Sequence, residues 1–253
     1  MKPTLFLSDL HFHGDHTPGG RALLDVLDQA RGEAEAVYLV GDVFDFWLGY
    51  RTTLYRACFP LLRRLAALVD AGTAVHLFTG NHDPEHGDFF GDIGVTVHDG
   101  PHTARIGGHT VWLEHGDLID PRGLHHRLVC RVARHPWLHR AARLAPPAAL
   151  WAVARAYARR GEHTYDEPLP AALLDAYLPA RAREGADVVV MGHYHRAVVH
   201  TRQVDGRTVR FFGLGDWVKQ RTWLRFDGDF TLLRYQDGGP PVALPEGDHA
   251  PPP

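Results

Sequence analysis

The chain of 253 residues is poor in sulfur, with two cysteines, Cys58 and Cys130, and two methionines. Two cysteines far apart exclude a disulfide framework and a cysteine-based zinc module, and they suit buried thiols in a reducing compartment. Long apolar runs are missing as well. No stretch approaches the ~18 apolar residues of a membrane-spanning helix. The opening Met1-Lys2-Pro3-Thr4-Leu5-Phe6-Leu7 is too short for a signal-peptide core before Asp9 and His11 interrupt it. Neither sign of charge is in large excess: the formal net charge is −3, so no global field argues for a nucleic-acid partner. The expectation is a soluble cytoplasmic protein, with a peripheral contact to the inner face of the cytoplasmic membrane left open.

What is present is ordinary for one large domain, at 45% hydrophobic and 23% charged residues. Histidine stands out, with 19 residues, because several fall in one kind of place. Five short apolar runs each end in Asp, His or Asn. Thr4-Leu5-Phe6-Leu7 leads into Ser8-Asp9-Leu10-His11. Ala36-Val37-Tyr38-Leu39-Val40 leads into Gly41-Asp42-Val43-Phe44-Asp45. Ala74 to Thr79 leads into Gly80-Asn81-His82-Asp83, Thr110 to Glu114 into His115-Gly116-Asp117, and Val188 to Met191 into Gly192-His193-Tyr194-His195. The runs read as buried strands. Ligands of open α/β sheets sit at the carboxyl ends of strands. Five such ends predict one converging site with the character of a two-metal centre.

Between the first three strands, Leu23, Leu24, Leu27 and Ala30 mark one helix face, and Leu54–Ala71 reads as a second helix stopped by Gly72. Strand, helix, strand, helix, strand implies parallel pairing through crossover helices. Residues 95–114 read as short strands with a Gly107-Gly108 hairpin turn. Residues 122–160 are helical in character and broken at prolines, and 170–184 reads as a helix kinked near Pro179. Strands return from Asp187 to Tyr235, with hairpin signals at Asp205-Gly206 and Asp227-Gly228. The division expected is one domain over 1–236, with a helical insert over about 121–184, and a Pro/Gly-rich disordered tail over 237–253.

The ordered set Asp9-x-His11, Gly41-Asp42-x-x-Asp45, Gly80-Asn81-His82-Asp83, His115-Gly116-Asp117 and Gly192-His193-x-His195 resembles the calcineurin-like metallophosphoesterases. The resemblance implies an α/β protein, a four-layer α/β/β/α sandwich with a helical lid insertion. It implies a metal-dependent hydrolase whose metal ligands are Asp9, His11, Asp42, Asn81, His115, His193 and His195. Asp42 bridges in the family pattern, with Asp9, His11 and His195 on one ion and Asn81, His115 and His193 on the other. Mixed carboxylate, amide and imidazole donors suit two divalent ions, Mn²⁺ first, with Fe²⁺ or Zn²⁺ as alternatives. Such a pair turns water into a hydroxide nucleophile near neutral pH. His82 is the expected catalytic imidazole and Asp45 the catalytic carboxylate that orients it.

A finer set adds Phe46-Trp47, an arginine-rich insert, Arg196 and Gly215-Asp216-Trp217. With these the chain resembles the UDP-2,3-diacylglucosamine diphosphatases, which release UMP and 2,3-diacylglucosamine 1-phosphate. The implied partner is an anionic phosphoester, a UDP-linked acylated sugar, and Asp117, Asp120, His125 and Arg196 are candidate substrate contacts. Residues 121–160 hold nine arginines and no Asp or Glu. Leu124, Leu128 and Val132 fall on one helical face there, which fits acyl chains and a membrane surface. The alternatives are a phosphodiesterase or pyrophosphatase on another nucleotide-type substrate, and a catalytically silent scaffold on the same fold.

Overall fold

The computed structural model describes residues 1–50, 53–119 and 172–249, with 135, 142, 144–146, 149, 151–152 and 169–170 of the insert. Asp120, His125, Cys130 and all nine insert arginines lie outside the described residues, as do 250–253.

Two sheets stack face to face. The first holds β1 (Thr4–Leu7), β2 (Ala36–Leu39), β3 (Ala74–Phe78), β4 (Thr96–His98), β10 (Thr222–Phe226), β11 (Phe230–Arg234) and β12 (Val242–Ala243), in the order β12-β11-β10-β1-β2-β3-β4. The second holds β5 (His102–Ile106), β6 (His109–Glu114), β7 (Val188–Met191), β8 (Ala197–Val204), β9 (Arg207–Leu214) and β13 (Gly247–His249), in the order β13-β8-β9-β7-β6-β5. β1, β2 and β3 pair in parallel, as the crossover pattern requires.

Side-chain alternation makes the layers. Along β1 and β2, Leu5, Leu7, Val37 and Leu39 meet helices α1 (Pro18–Ala30) and α2 (Phe59–Asp70) through Leu23, Leu27, Leu61 and Leu65. Phe6, Tyr38 and Val40 point the other way, onto Val111, Val190, Phe212 and Leu214 of the second sheet. Beyond that sheet, Val189, Met191 and Phe211 meet Leu178 and Ala182 of α3 (Leu178–Arg183). Each central strand is thus apolar on both faces, which is why the runs are continuous rather than alternating. The α/β/β/α sandwich is the observed architecture.

Three expectations change. The helix read over Leu54–Ala71 starts later: a single 3₁₀ turn, Arg56–Cys58, precedes α2, whose second residue is Pro60. A proline in the body of a longer helix would lack its donor and clash with the preceding turn. The helix read over 170–184 is a wide π-type turn, Leu173–Tyr177, running into α3 with Pro179 in its first turn. Pro179 has no amide to offer, and the Leu174 carbonyl accepts from Arg202 Nη1 at 2.7 Å instead. The tail is not disordered through 249. β12 adds to β11 and β13 adds to β8. Composition hides this because the pairing is backbone to backbone and serves strand edges that would otherwise lack partners.

Candidate metal centre

The five motifs meet at one end of the stacked sheets. Each follows a strand, so the chain must reverse within two or three residues to bring ligands back over the strand ends. It does so through left-handed backbone. Asp9, His11, Asp42, His193 and His195 have φ of 51°, 39°, 50°, 68° and 52°. Only Asp205 and Arg221 share that region among the other described non-glycine residues. A left-handed residue with a side chain costs on the order of 1–2 kcal/mol, and such strain persists where the surroundings over-determine it, typically at functional sites. Gly41 shows why a glycine opens its motif: at φ 82° a Cβ would run into the His115 ring.

Asp9 is at the middle. Its Oδ1 lies 3.2 Å from His195 Nε2, and its Oδ2 accepts from the His193 amide at 2.9 Å. Asp42 Oδ2 lies 3.3 Å from His115 Nε2 and 4.0 Å from His11 Nε2, while its Oδ1 accepts from the His82 amide at 2.9 Å. Asn81 Oδ1 lies 3.2 Å from His115 Nε2 and 3.0 Å from His193 Nδ1. Donor atoms of Asp9, His11 and His195, and again of Asp9, Asp42 and His115, fall within 4.8 Å of one another. All seven expected ligand residues are therefore brought together. Asp9 is common to both compact groups, and Asp42 reaches one histidine of each.

The donor set fits cations. Asp9 Oδ1 and His11 Nε2 are buried and take no hydrogen bond, which buried polar atoms rarely tolerate. His115 Nδ1 sits 3.0 Å from the Val40 carbonyl, a donor position that turns Nε2 toward Asp42. Burial pushes the Asp9 carboxyl up to about 7, against the pull of His115 and His11. Burial alone would also raise Asp42, but the charges of His115 and His82 hold it well below the usual carboxylate range. Burial opposes charge on His11 and His115, yet the Asp45 hydrogen bond lifts the first to about 9 and Asp42 lifts the second to about 10. His195 is pushed well down by burial and by His11. Protons on His11 and His115 balance buried carboxylates here, and a divalent cation supplies the same balance while displacing them.

His82 and Asp45 meet differently from the expectation. Asp45 uses its side chain on His11 Nδ1 at 3.1 Å and His13 Nδ1 at 2.8 Å. It meets His82 through its backbone carbonyl, 3.2 Å from Nδ1. The two rings from the first strand's loop take one carboxylate oxygen each. The His82 ring stands edge-on to His11 at 4.8 Å between centroids. Asp117 is buried beyond His115. Arg196 is committed elsewhere: Nε and Nη2 donate to the two oxygens of Asp248, both at 2.9 Å.

Two supporting residues escaped the sequence reading. His13 continues the alternation Asp9, His11, His13, which was the available signal. Asp83 is fully buried and accepts from the amides of Gly80, Asp42, Val43 and Phe44 at 2.9, 3.1, 2.8 and 3.3 Å. Its signal was a carboxylate closing Gly80-Asn81-His82-Asp83 beside a turn whose consecutive amides need an acceptor.

The chain is similar to known proteins. A model of the calcineurin-like phosphoesterase family matches residues 2–197. A UDP-2,3-diacylglucosamine hydrolase of Azotobacter vinelandii is 34% identical over 235 residues, covering 89% of this chain and 95% of its own. A protein of the same name from Pseudomonas putida is 32% identical over 229 residues, covering 88% and 94%. The solved structure of zinc-complexed Vps29 from Entamoeba histolytica aligns over 95% of this chain and 98% of its own, at 15% identity and a TM-score of 0.46. With its candidate ligand residues converging from five strand ends and the family match running through all five motifs, the chain belongs to the calcineurin-like phosphoesterases.

Proposed function

We propose that the protein is a metal-dependent hydrolase that cleaves the pyrophosphate of UDP-2,3-diacylglucosamine, giving 2,3-diacylglucosamine 1-phosphate and UMP. The observation that carries the reaction class is the convergence of two compact groups of donors, Asp9, His11 and His195 in one and Asp9, Asp42 and His115 in the other, with Asn81 between His115 and His193 and five of the seven residues in left-handed backbone. The substrate rests on the relatives, which bear that activity in their names along nearly their whole length. Two divalent ions, Mn²⁺ before Fe²⁺ or Zn²⁺, would supply Lewis-acid activation of water and of a phosphoryl oxygen.

The chain's own groups do the rest. Asp9 and Asp42 hold opposing histidines at fixed spacing, and Asp83 pins the turn that carries Asp42. His82, with Nδ1 on the Asp45 carbonyl, keeps Nε2 for a phosphoryl oxygen or the departing phosphate. Water adds to one phosphorus, the P–O–P bridge breaks, and the proton lost by water ends on the leaving oxygen. Beside Asp45, Phe46 and Tyr55 meet Trp151 of the insert, with ring centroids 6.3 and 4.4 Å away. Tyr50 Oη donates to the Ala145 carbonyl at 3.3 Å. An aromatic wall between the centre and the insert suits acyl chains, and the arginines of the insert suit an anionic membrane surface. No helix among the described residues is long and apolar enough to cross a membrane.

The test is a panel of UDP-2,3-diacylglucosamine, bis(p-nitrophenyl) phosphate and simple nucleotides with Mn²⁺. UMP release from the acylated substrate, abolished by chelator, is the expected result. Cleavage of the nitrophenyl ester with no UMP release would move the assignment to another phosphodiester. No hydrolysis of any member would leave the scaffold reading.

A further inference from the structure

The turn Gly192-His193-Tyr194-His195-Arg196 carries two ligand candidates in strained backbone, with His193 at φ 68° and His195 at φ 52°. Its inner side is pressed against the centre. A Cβ on Gly192 would strike Ser8 Oγ, and the His193 amide donates to Asp9. A turn of this kind stays in place only when it is held from outside as well.

The outer hold comes from the end of the chain. β12 extends the first sheet on β11 and β13 extends the second on β8, so the segment spans the edges of both sheets. β13 engages β8 at its very start, pairing His249 with Ala197, Asp248 with Val198 and Gly247 with Val199. Directly after His195, the Arg196 guanidinium forks onto Asp248 with two 2.9 Å hydrogen bonds. The next amide, Ala197 N–H, donates to buried Gln220 Oε1 at 2.9 Å, and Gln220 Nε2 donates to the His249 carbonyl at 3.1 Å. The Arg196 carbonyl accepts from Gly215 at 3.2 Å. Two of these three grips on consecutive residues depend on β13, which lies wholly beyond the stretch the family match covers, residues 2–197.

We propose that Val242–His249 is a strap on the metal centre, and that Asp248 is a positioning residue acting through Arg196 on the His193–His195 turn. The proposal rests on the metal-centre reading of the site. A planar guanidinium held at two points fixes both the position and the direction of the residue after His195. A ligand whose supporting contact is lost typically binds metal some 10–100-fold more weakly. The ordinary alternative is that β13 merely covers the edge of β8. The same segment contains its own control. Glu246 grips Thr201, accepting from its amide at 2.5 Å and from Oγ1 at 3.0 Å, four residues further along β8 than Ala197.

The experiment is a calorimetric titration of the chelator-stripped, full-length protein with Mn²⁺, which reads metal affinity without turnover. Asp248→Ala is expected to weaken Mn²⁺ binding about tenfold, Asp248→Glu to restore most of it, and Glu246→Ala to bind as the parent does while melting at a lower temperature. Parent-like affinity in both Asp248→Ala and the isosteric Asp248→Asn would overturn the proposal. So would an equal loss in Glu246→Ala, since the effect would then follow the fold rather than the turn. A parent that takes up no Mn²⁺ would instead bring down the metal-centre reading, and the strap's role with it.

Discussion

At the carboxyl ends of the central strands, His11, His82, His115, His193 and His195 gather around the buried carboxylates of Asp9, Asp42 and Asp45. Where the edge strands β4 and β5 bring the two sheets together, His76, His98 and His102 gather with aromatic rings. Tyr38 stacks on His76 at 4.4 Å, Phe78 on His98 at 4.6 Å, and His98 lies 4.3 Å from His102. Both groups are ring-packed, and both pair polar atoms, His76 Nδ1 lying 3.1 Å from His98 Nε2. Their electrostatics are opposite. At the seam, burial and neighbouring imidazoles push His98 down to about 4 and lower His76 as well. At the strand ends, nearby carboxylates overcome burial and lift His11 to about 9 and His115 to about 10. His76 and His98, held toward the neutral form, serve as aromatic packing. Density of histidine therefore does not mark a site. Buried carboxylates and strained left-handed backbone do, and the seam residues have neither.

The strongest way to break this contrast is to delete a carboxylate. Asp42→Ala should lower Mn²⁺-dependent hydrolysis of bis(p-nitrophenyl) phosphate by ~10³-fold or more, since both donor groups lose a shared partner. His98→Phe should leave the rate within about twofold, as expected of packing remote from chemistry. Near-normal turnover of Asp42→Ala in steady-state assays would end the two-metal assignment.

The contrast sharpens within the strand-end group itself. His82→Ala should slow turnover by ~10²–10⁴-fold with metal content equal to the parent's by elemental analysis. Lost metal would make His82 a ligand rather than the phosphoryl-facing imidazole.

The smallest effect expected is in pH-dependent stability, and there the two groups differ in sign. His98 has a folded-state value below its ordinary one, so unfolding takes up a proton under mildly acid conditions. Its contribution to stability is complete above pH 6.5 and is lost as pH falls toward 4. His11 and His115 have raised values, so their contribution is complete below pH 6.5 and is lost as pH rises through 9 to 10. In chelator-treated protein, His98→Phe should flatten the acid limb of melting temperature against pH by about 2–3 °C and leave the alkaline limb unchanged. Parallel acid limbs in the two proteins would mean that His98 titrates as it does in water.

Much of the fold could be read from the chain because its runs are apolar on both faces, and only a strand covered on both sides calls for that. The same logic reaches the seven candidate ligand residues: each stands within a few residues of a strand end, so local order carries their convergence. The supporting contacts do not follow this rule. Asp45 and His82 could be named from spacing, but which Asp45 oxygen faces which ring depends on how the loops after β1 and β2 fold over one another. Asp83 serves amides 39 to 41 residues away in sequence as well as one in its own turn. Arg196 reads as a free cation beside His195 until a residue 52 positions later takes both arms of its fork.

By itself the sequence determined the strands, their order of chemistry and the identity of the donors, because hydrophobic period and residue type act over a few neighbours. The tertiary structure alone decided the pairing of those donors, the opposite shifts of His11 and His98 and the use of the tail. Those properties arise from desolvation and from hydrogen bonds between segments far apart in the chain, and no local pattern encodes a partner that only folding brings within 3 Å.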